Sequence, residues 1–168
     1  ALEHAQLGQA EARRGEDHWL LGQLLGVSAA TLTALGESER ARLQLQTILD
    51  TPSLLEVVSD PARLRYAVGR LEPASERRAQ EMAHARSEAA RVGDDFTYVR
   101  AWIGEGEAHA SGGDHAAAIE AASGALAMAR RLALADQEVG ALMLLADLDQ
   151  HGQADQLRTA ALSLAEIA

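Results

Sequence analysis

The chain has 168 residues, of which 48% are apolar and 3% aromatic, and its 15 basic against 25 acidic residues give a net charge of −10. All of the basic residues are arginine, and the chain contains neither lysine nor cysteine. These absences exclude disulfides, thiolate metal sites, thiol nucleophiles, Schiff-base lysines and a phosphate-loop lysine. The negative charge disfavours nucleic-acid binding, because no segregated basic face is visible that could offset the repulsion from phosphates.

Alanine and leucine supply most of the apolar surface, and no long alternating run of β-branched and aromatic residues occurs. This composition favours closely packed helices over sheets, and it predicts an all-α fold. No run of 18 apolar residues and no basic, apolar leader is present at the N-terminus. We therefore expect a cytoplasmic protein without a membrane span.

Residues 1–59 are predicted to form a less regular helical N-terminal part. Residues 7–16 line up with residues 105–114, matching at both glycines, both alanines and the acid after the turn. Gly15 and Gly36 stand too close together for a complete helical hairpin. We therefore expect short helices over residues 16–59, broken near residues 27–28 and 51–52.

A helix-turn-helix at about residues 20–35 is the alternative interpretation of this segment. Gly22, Gly26 and Leu32 fall where that motif places small and apolar residues. Its second helix would present Ser, Ala and Thr but no Arg, Asn or Gln for reading bases. The alternative class is therefore a DNA-binding regulator with a helical sensor region, while a helical turn that serves packing is favoured.

Residues 60–168 are predicted to form three helical hairpins. The first begins where Asp60 precedes Pro61, since Asp caps free amide groups and Pro fits the first turn of a helix. Turn residues and apolar periodicity place the remaining boundaries. The predicted helix pairs are 60–71 with 75–92, 95–111 with 114–134, and 136–150 with 153–167.

Two independent markers in these hairpins give one repeat period. The turn glycines Gly113 and Gly152 are 39 residues apart, and the expected capping residues Asp95 and Asp136 are 41 apart. A period near 40 is typical of stacked helical hairpins, in which each hairpin buries its apolar face against its neighbours.

The hairpin at residues 102–126 resembles a tetratricopeptide (TPR) repeat. Two family positions differ, because Glu105 replaces a large apolar residue and His109 replaces an aromatic one. The strings at residues 89–94 and 129–136 are similar to those of longer-period relatives, which form the helical arms of bacterial ATP-binding transcriptional activators. The positions that match the family are Trp102, Gly106, Gly113, Asp114, Ala118 and Ala125.

The resemblance implies a right-handed stack of antiparallel helical hairpins, a TPR-like α-solenoid. It further implies a scaffold without enzymatic activity or cofactor, in a bacterial signalling or transcriptional regulator. Its partners would be a protein, a peptide or a second copy of the chain, and neither nucleic acid nor a membrane. The terminal helix, residues 157–167, is apolar enough to pair two copies.

A curved stack of this kind leaves a groove that is lined mainly by the first helix of each hairpin. Trp102 is expected to pack between helices, because the family buries that position. A metal site at Glu105, His109, Asp114 and His115 is disfavoured, since their spacing matches no ligand motif. Candidate groove residues are the polar or aromatic ones on first helices: Tyr66, Arg70, Tyr98, Arg100, Glu105 and His109.

Overall fold

The computed structural model describes residues 2–57, 60–149 and 153–165, and across these ranges it contains helices and no strand. This confirms the predicted all-α fold. Contacts divide the chain into two compact units, residues 1–72 and 73–168. The predicted turn at residues 151–152 and the end of the last predicted helix at residue 167 lie outside the described residues.

The first unit contains five helices in its described residues, and each of α1 to α3 packs against the next helix along the chain. The short α4 packs against α2 and α3, and α5 packs against α3. These helices are α1 (Leu2–Arg14), α2 (His18–Ala34), α3 (Ser38–Asp50), α4 (Pro52–Leu55) and α5 (Pro61–Leu71).

The second unit also contains five helices in its described residues, and consecutive helices pack against each other throughout. Helices α7 and α9 also make contact, as expected when one hairpin stacks on the next. These helices are α6 (Ser75–Val92), α7 (Asp95–Ser111), α8 (His115–Arg131), α9 (Ala135–Leu148) and α10 (Ala154–Ala165).

One turn geometry recurs in both units. In five turns of the described residues, a residue with positive φ is followed directly by the N-cap of the next helix. After Glu16, Gly93 and Gly113 this N-cap is an Asp, whose side chain accepts a hydrogen bond from a backbone amide. Within each unit these turns are 20 residues apart, at positions 16 and 36 and at positions 93, 113 and 133. In the second unit, a hairpin of two helices therefore repeats after 40 residues, from Gly93 to Ala133. The period is as predicted, but its N-caps are Asp94 and Leu134 rather than Asp95 and Asp136.

The 20-residue spacing also explains where the prediction for residues 16–59 was wrong. The interval of sequence between Gly15 and Gly36 contains a single helix, α2, and is therefore too short for a hairpin. Helix α2 continues through residues 27–28, so neither the predicted break nor the turn of a helix-turn-helix exists there. The break near residues 51–52 is confirmed, since α3 ends at Asp50 and α4 begins at Pro52.

Helix α5 belongs to the first unit, although the sequence pattern grouped it with α6, and an ion-pair network adds to its apolar contacts with the first core. Arg42 on α3 donates a hydrogen bond of 2.7 Å to Glu39 and lies 3.5 Å from the buried carboxylate of Glu72, which follows α5. The hydrogen bond from Arg42 lowers the pKa of the Glu39 carboxyl below its ordinary value. The network thus ties the end of α5 to α3.

The two units are packed with different side chains. The core of the first unit is rich in leucine, whereas the face of α8 that is buried in the second unit consists of alanine alone. Short side chains allow neighbouring helices to approach closely, so α7 packs tightly between α6 and α8. The alanines of α8 are Ala118, Ala121, Ala122, Ala125 and Ala129.

Candidate functional site

One face of α7 carries three of the predicted groove residues. Tyr98, Glu105 and His109 lie seven and eleven residues apart along the helix, so they share a face, and Trp102 lies between them on that face. Arg100 lies about 200° around the helix from Tyr98 and is exposed on the other side. The structure therefore brings Tyr98, Glu105 and His109 together and separates Arg100 from them.

Arg86 of α6 holds this face of α7 in place. Its Nε donates to Glu105 Oε2 at 2.9 Å, and its guanidinium carbon lies 4.9 Å from the centre of the Trp102 ring. The Trp102 ring also meets the Tyr98 ring edge to face, with centroids 5.7 Å apart. A guanidinium that contacts both a carboxylate and an aromatic face is stabilised by hydrogen bonding and by the ring quadrupole.

Trp102 serves packing, as the family resemblance implies. Its ring lies against the backbone of α8 at Gly124, where a Cβ atom would stand 2.3 Å from Trp102 Cζ2. No side chain larger than hydrogen fits there while the ring keeps its position. Gly124 is thus explained by the close approach of Trp102 to α8.

Two depressions in the second unit meet at His109, and we call them together the α7 groove. Their volumes are about 280 and 440 Å³. The lining contains four carboxylates and one arginine, which together give it a net charge of −3. Glu120 is exposed and forms no ion pair within the described part of the chain. The residues with charged or titratable side chains that line the groove are Glu76, Arg86, Glu105, His109, Asp114 and Glu120.

The first unit has a cleft of a different kind, which we call the α2 cleft. It has a volume of about 380 Å³, and its walls are α2 and α5 while α3 forms the floor. No charged side chain lines it. The lining residues are Trp19, Gly22, Gln23, Gly26, Val27, Ala30, Leu45, Ile48, Val57 and Leu64.

No family model matches the chain, and no curated protein shows significant sequence similarity to it. Among solved structures, the chain is similar to the crystal structure of MamA protein, a TPR-like helical-repeat protein. The TM-score is 0.53 at 15% sequence identity, over 98% of this chain and 88% of that chain. The fold is TPR-like. At this level of identity the likeness concerns the fold alone.

The TPR-like fold accommodates the two residues that depart from the repeat pattern. Glu105 stands where a large apolar residue is usual, and the ion pair with Arg86 compensates its charge at a partly buried position. His109 stands where an aromatic residue is usual, and it lines both depressions of the α7 groove. Both departures therefore add polar chemistry to a surface that the repeat pattern makes apolar.

Sequence reasoning missed the α2 cleft and part of the α7 groove. Tyr66 and Arg70, the remaining predicted groove residues, lie on α5 in the first unit, where Tyr66 is half-buried and Arg70 exposed. Neither lines the α2 cleft. No local pattern marks that cleft in the sequence, because the 60% exposure of Trp19 follows only from the packing of α2.

The described residues show neither a metal-binding cluster nor a membrane-spanning helix. Residues 2–57, 60–149 and 153–165 contain no cluster of three or more His, Asp or Glu side chains arranged to hold a metal ion. Within the same ranges no helix combines the length and hydropathy that are needed to cross a bilayer.

Proposed function

We propose that this chain is a protein- or peptide-binding scaffold, the helical-repeat region of a cytoplasmic bacterial signalling or transcriptional regulator, without an activity of its own. The observation that carries this proposal is the α7 groove. It gathers an aromatic ring and a histidine of α7 with carboxylates from α6, α7, α8 and the N-cap of α8 in a TPR-like stack. Such a surface suits recognition of side chains rather than covalent chemistry, because no nucleophile and base stand paired in it.

The charge of the groove indicates the chemistry of the partner. A lining with a net charge of −3, in a chain with a net charge of −10, attracts lysine and arginine side chains and repels acidic ones. Glu120 has no ion pair in the described residues, so its carboxylate is available to a partner's cation. Glu105 and His109 of the predicted groove set would take part from α7, and Arg100 would belong to a separate contact surface.

Selection from a random peptide library on the immobilised chain tests the proposal. We expect the enriched peptides to carry basic residues, and we expect their affinity, measured by fluorescence anisotropy, to fall as salt rises. The variant Glu120→Arg should weaken binding about tenfold, since it turns an attraction into a repulsion.

The matched control is Glu3→Arg, which makes the same charge change on exposed α1, outside the groove. This variant should leave the affinity within about twofold of the wild-type value. Enriched peptides without basic residues would contradict the proposal, as would equal weakening by the two variants or the absence of any enriched peptide.

A further inference from the structure

Helix α2 carries two uncharged stripes, and only one of them is buried along its whole length in the first unit. The buried stripe includes Leu21, Leu25 and Leu32. The second stripe runs along the α2 cleft at positions 19, 22, 23, 26, 27 and 30, which is the spacing of one helix face. Gly22 is buried and Gly26 half-buried, while Trp19, Gln23, Val27 and Ala30 are exposed. No Asp, Glu, Lys or Arg occurs in the 17 residues of α2. A helix face without charge that exposes the large apolar side chains of Trp19 and Val27 is normally covered.

The exposed stripe has a projection and a pit on the same face. Trp19 projects from it with 60% of its surface exposed. Gly26, two turns further along, has no atom of the described residues within 4 Å of the position a Cβ would take, apart from its chain neighbours and the nearby backbone of α2. Projection and pit are therefore about 10 Å apart along one helix. A surface of this form is complementary to itself when a two-fold axis reverses the second helix.

The self-complementary form of this surface selects a second copy of the chain as its occupant, and the lack of charge in its lining permits the approach. Two chains that each carry a net charge of −10 repel one another, so they can approach closely only where both surfaces lack like charges. The lining of the α2 cleft has no charged residue, whereas that of the α7 groove has a net charge of −3. The terminal helix α10 carries Asp155 and Arg158 on exposed positions, so it is less suited to pairing.

We propose that two copies of this chain pair through their α2 clefts, helix against antiparallel helix, with Trp19 of each copy seated over Gly26 and Ala30 of the other. This pairing rests on the scaffold function proposed above, and it assigns self-association to α2 in place of the terminal helix. The peptide-binding α7 groove lies on other helices, so the two activities can be lost separately.

Sedimentation equilibrium of the wild-type chain and two matched variants tests the pairing. Val27→Asp places a charge in the cleft, while Val92→Asp makes the same change at the end of α6, and the two valines are 57% and 55% exposed. We expect the wild-type chain to form a dimer, Val27→Asp to weaken it by about a hundredfold or more, and Val92→Asp to leave it within about twofold. A wild-type monomer at about 1 mM, or equal weakening by both variants, would overturn the proposal.

A second variant keeps the pairing testable if Val27→Asp fails to fold. Gly26→Leu fills the pit with an apolar side chain and replaces a helix-breaking residue, so it should abolish the dimer while raising the thermal unfolding temperature of the monomer. A dimer that persists in Gly26→Leu would overturn the seating of Trp19. Peptide binding by the α7 groove should survive in this variant, so a failure of pairing is distinguishable from a failure of the scaffold function.

Single cysteines locate the contact, because the chain has none of its own. Gln23→Cys lies in the α2 cleft, and Gln156→Cys lies on an exposed position of α10. We expect a short bismaleimide to link the first variant into dimers and to leave the second monomeric. Linking of Gln156→Cys alone would assign pairing to the terminal helix and overturn the proposal.

Discussion

The α2 cleft and the α7 groove have the same construction in their respective units, with a floor helix between two wall helices. The eighth and eleventh residues of the floor helix point into each depression. They are Leu45 and Ile48 in α3, and Trp102 and Glu105 in α7. The floor helix thus presents an apolar surface in the first unit and a polar surface in the second.

The difference shows what a polar floor requires from its surroundings. Leu45 and Ile48 need only apolar neighbours, whereas Glu105 requires the guanidinium of Arg86 and Trp102 requires a glycine at position 124. These two compensating residues lie on different helices from those they serve. The residues that stabilise a polar floor therefore lie on three helices, and the variants below test their contributions.

The largest effect is expected from Ile48→Ala, which removes the apolar floor of the α2 cleft. Ile48 is fully buried in the leucine-rich core, so the truncation leaves a cavity and should lower the free energy of unfolding by about 2–5 kcal/mol. Chemical denaturation measures this value. The exposed Leu43 on the same helix is the control, and Leu43→Ala should change stability by less than about 1 kcal/mol. Equal effects of both variants would show that the floor is not packed as described.

The next effect is expected from Gly124→Ala on α8, where the Trp102 ring packs. The added methyl group overlaps Trp102, so the ring must move, and the strain should lower stability by about 1–3 kcal/mol despite the better helix propensity of alanine. Thermal unfolding measures the change. Combining this substitution with Trp102→Leu should remove most of the penalty, because the shorter side chain leaves room for the methyl group. Additive losses in the double variant would contradict the close contact.

A smaller effect is expected from Glu105→Ala, which leaves the guanidinium of Arg86 without its carboxylate. Because Arg86 is partly exposed, solvent screens the charge, and the loss should be about 1 kcal/mol. Glu120→Ala, in the same groove but without an ion pair in the described residues, should lie within about 0.5 kcal/mol of the wild-type value. A double-mutant cycle between Arg86 and Glu105 measures the pair directly, and a coupling energy of zero would rule out its role.

The smallest effect, and one of opposite sign, is expected from Gly26→Ala in the α2 cleft. The same substitution that strains position 124 meets open space at position 26, so only the gain in helix propensity remains. Stability should rise by about 0.5–1 kcal/mol, measured at a protein concentration that keeps the chain monomeric. A loss of stability would show that position 26 is crowded and that the cleft is filled in the free chain.

The helices themselves could be predicted because their signals are local. Asp60 before Pro61 and Gly93 before Asp94 mark helix boundaries within a few residues, and the structure uses both pairs. The continuity of α2 was missed because Gly26 in a helix interior has the same local signature as a turn. Only the 20-residue spacing of the turns distinguishes the two cases. The sequence hides that spacing, because Glu16 and Ala133 take the positive-φ position of two turns and are not glycines.

The two clefts could not be predicted because their residues are brought together by packing. Arg86 and Glu105 lie 19 residues apart on different helices, so no helical periodicity relates them. The sequence shows that α2 carries no Asp, Glu, Lys or Arg, but burial by tertiary contacts decides which of its stripes is left exposed. Trp102 was placed correctly through the family resemblance, and its partner Gly124 follows only from the distance between α7 and α8.

The central claim is that the α2 cleft pairs two copies of the chain while the α7 groove binds a basic peptide. Sedimentation equilibrium with a fluorescent selected peptide reports mass and bound peptide together for Val27→Asp and Glu120→Arg. We expect Val27→Asp to be a monomer that binds the peptide with wild-type affinity, and Glu120→Arg to be a dimer that binds it about tenfold more weakly. Loss of both properties in either variant, or of neither in both, would contradict the account.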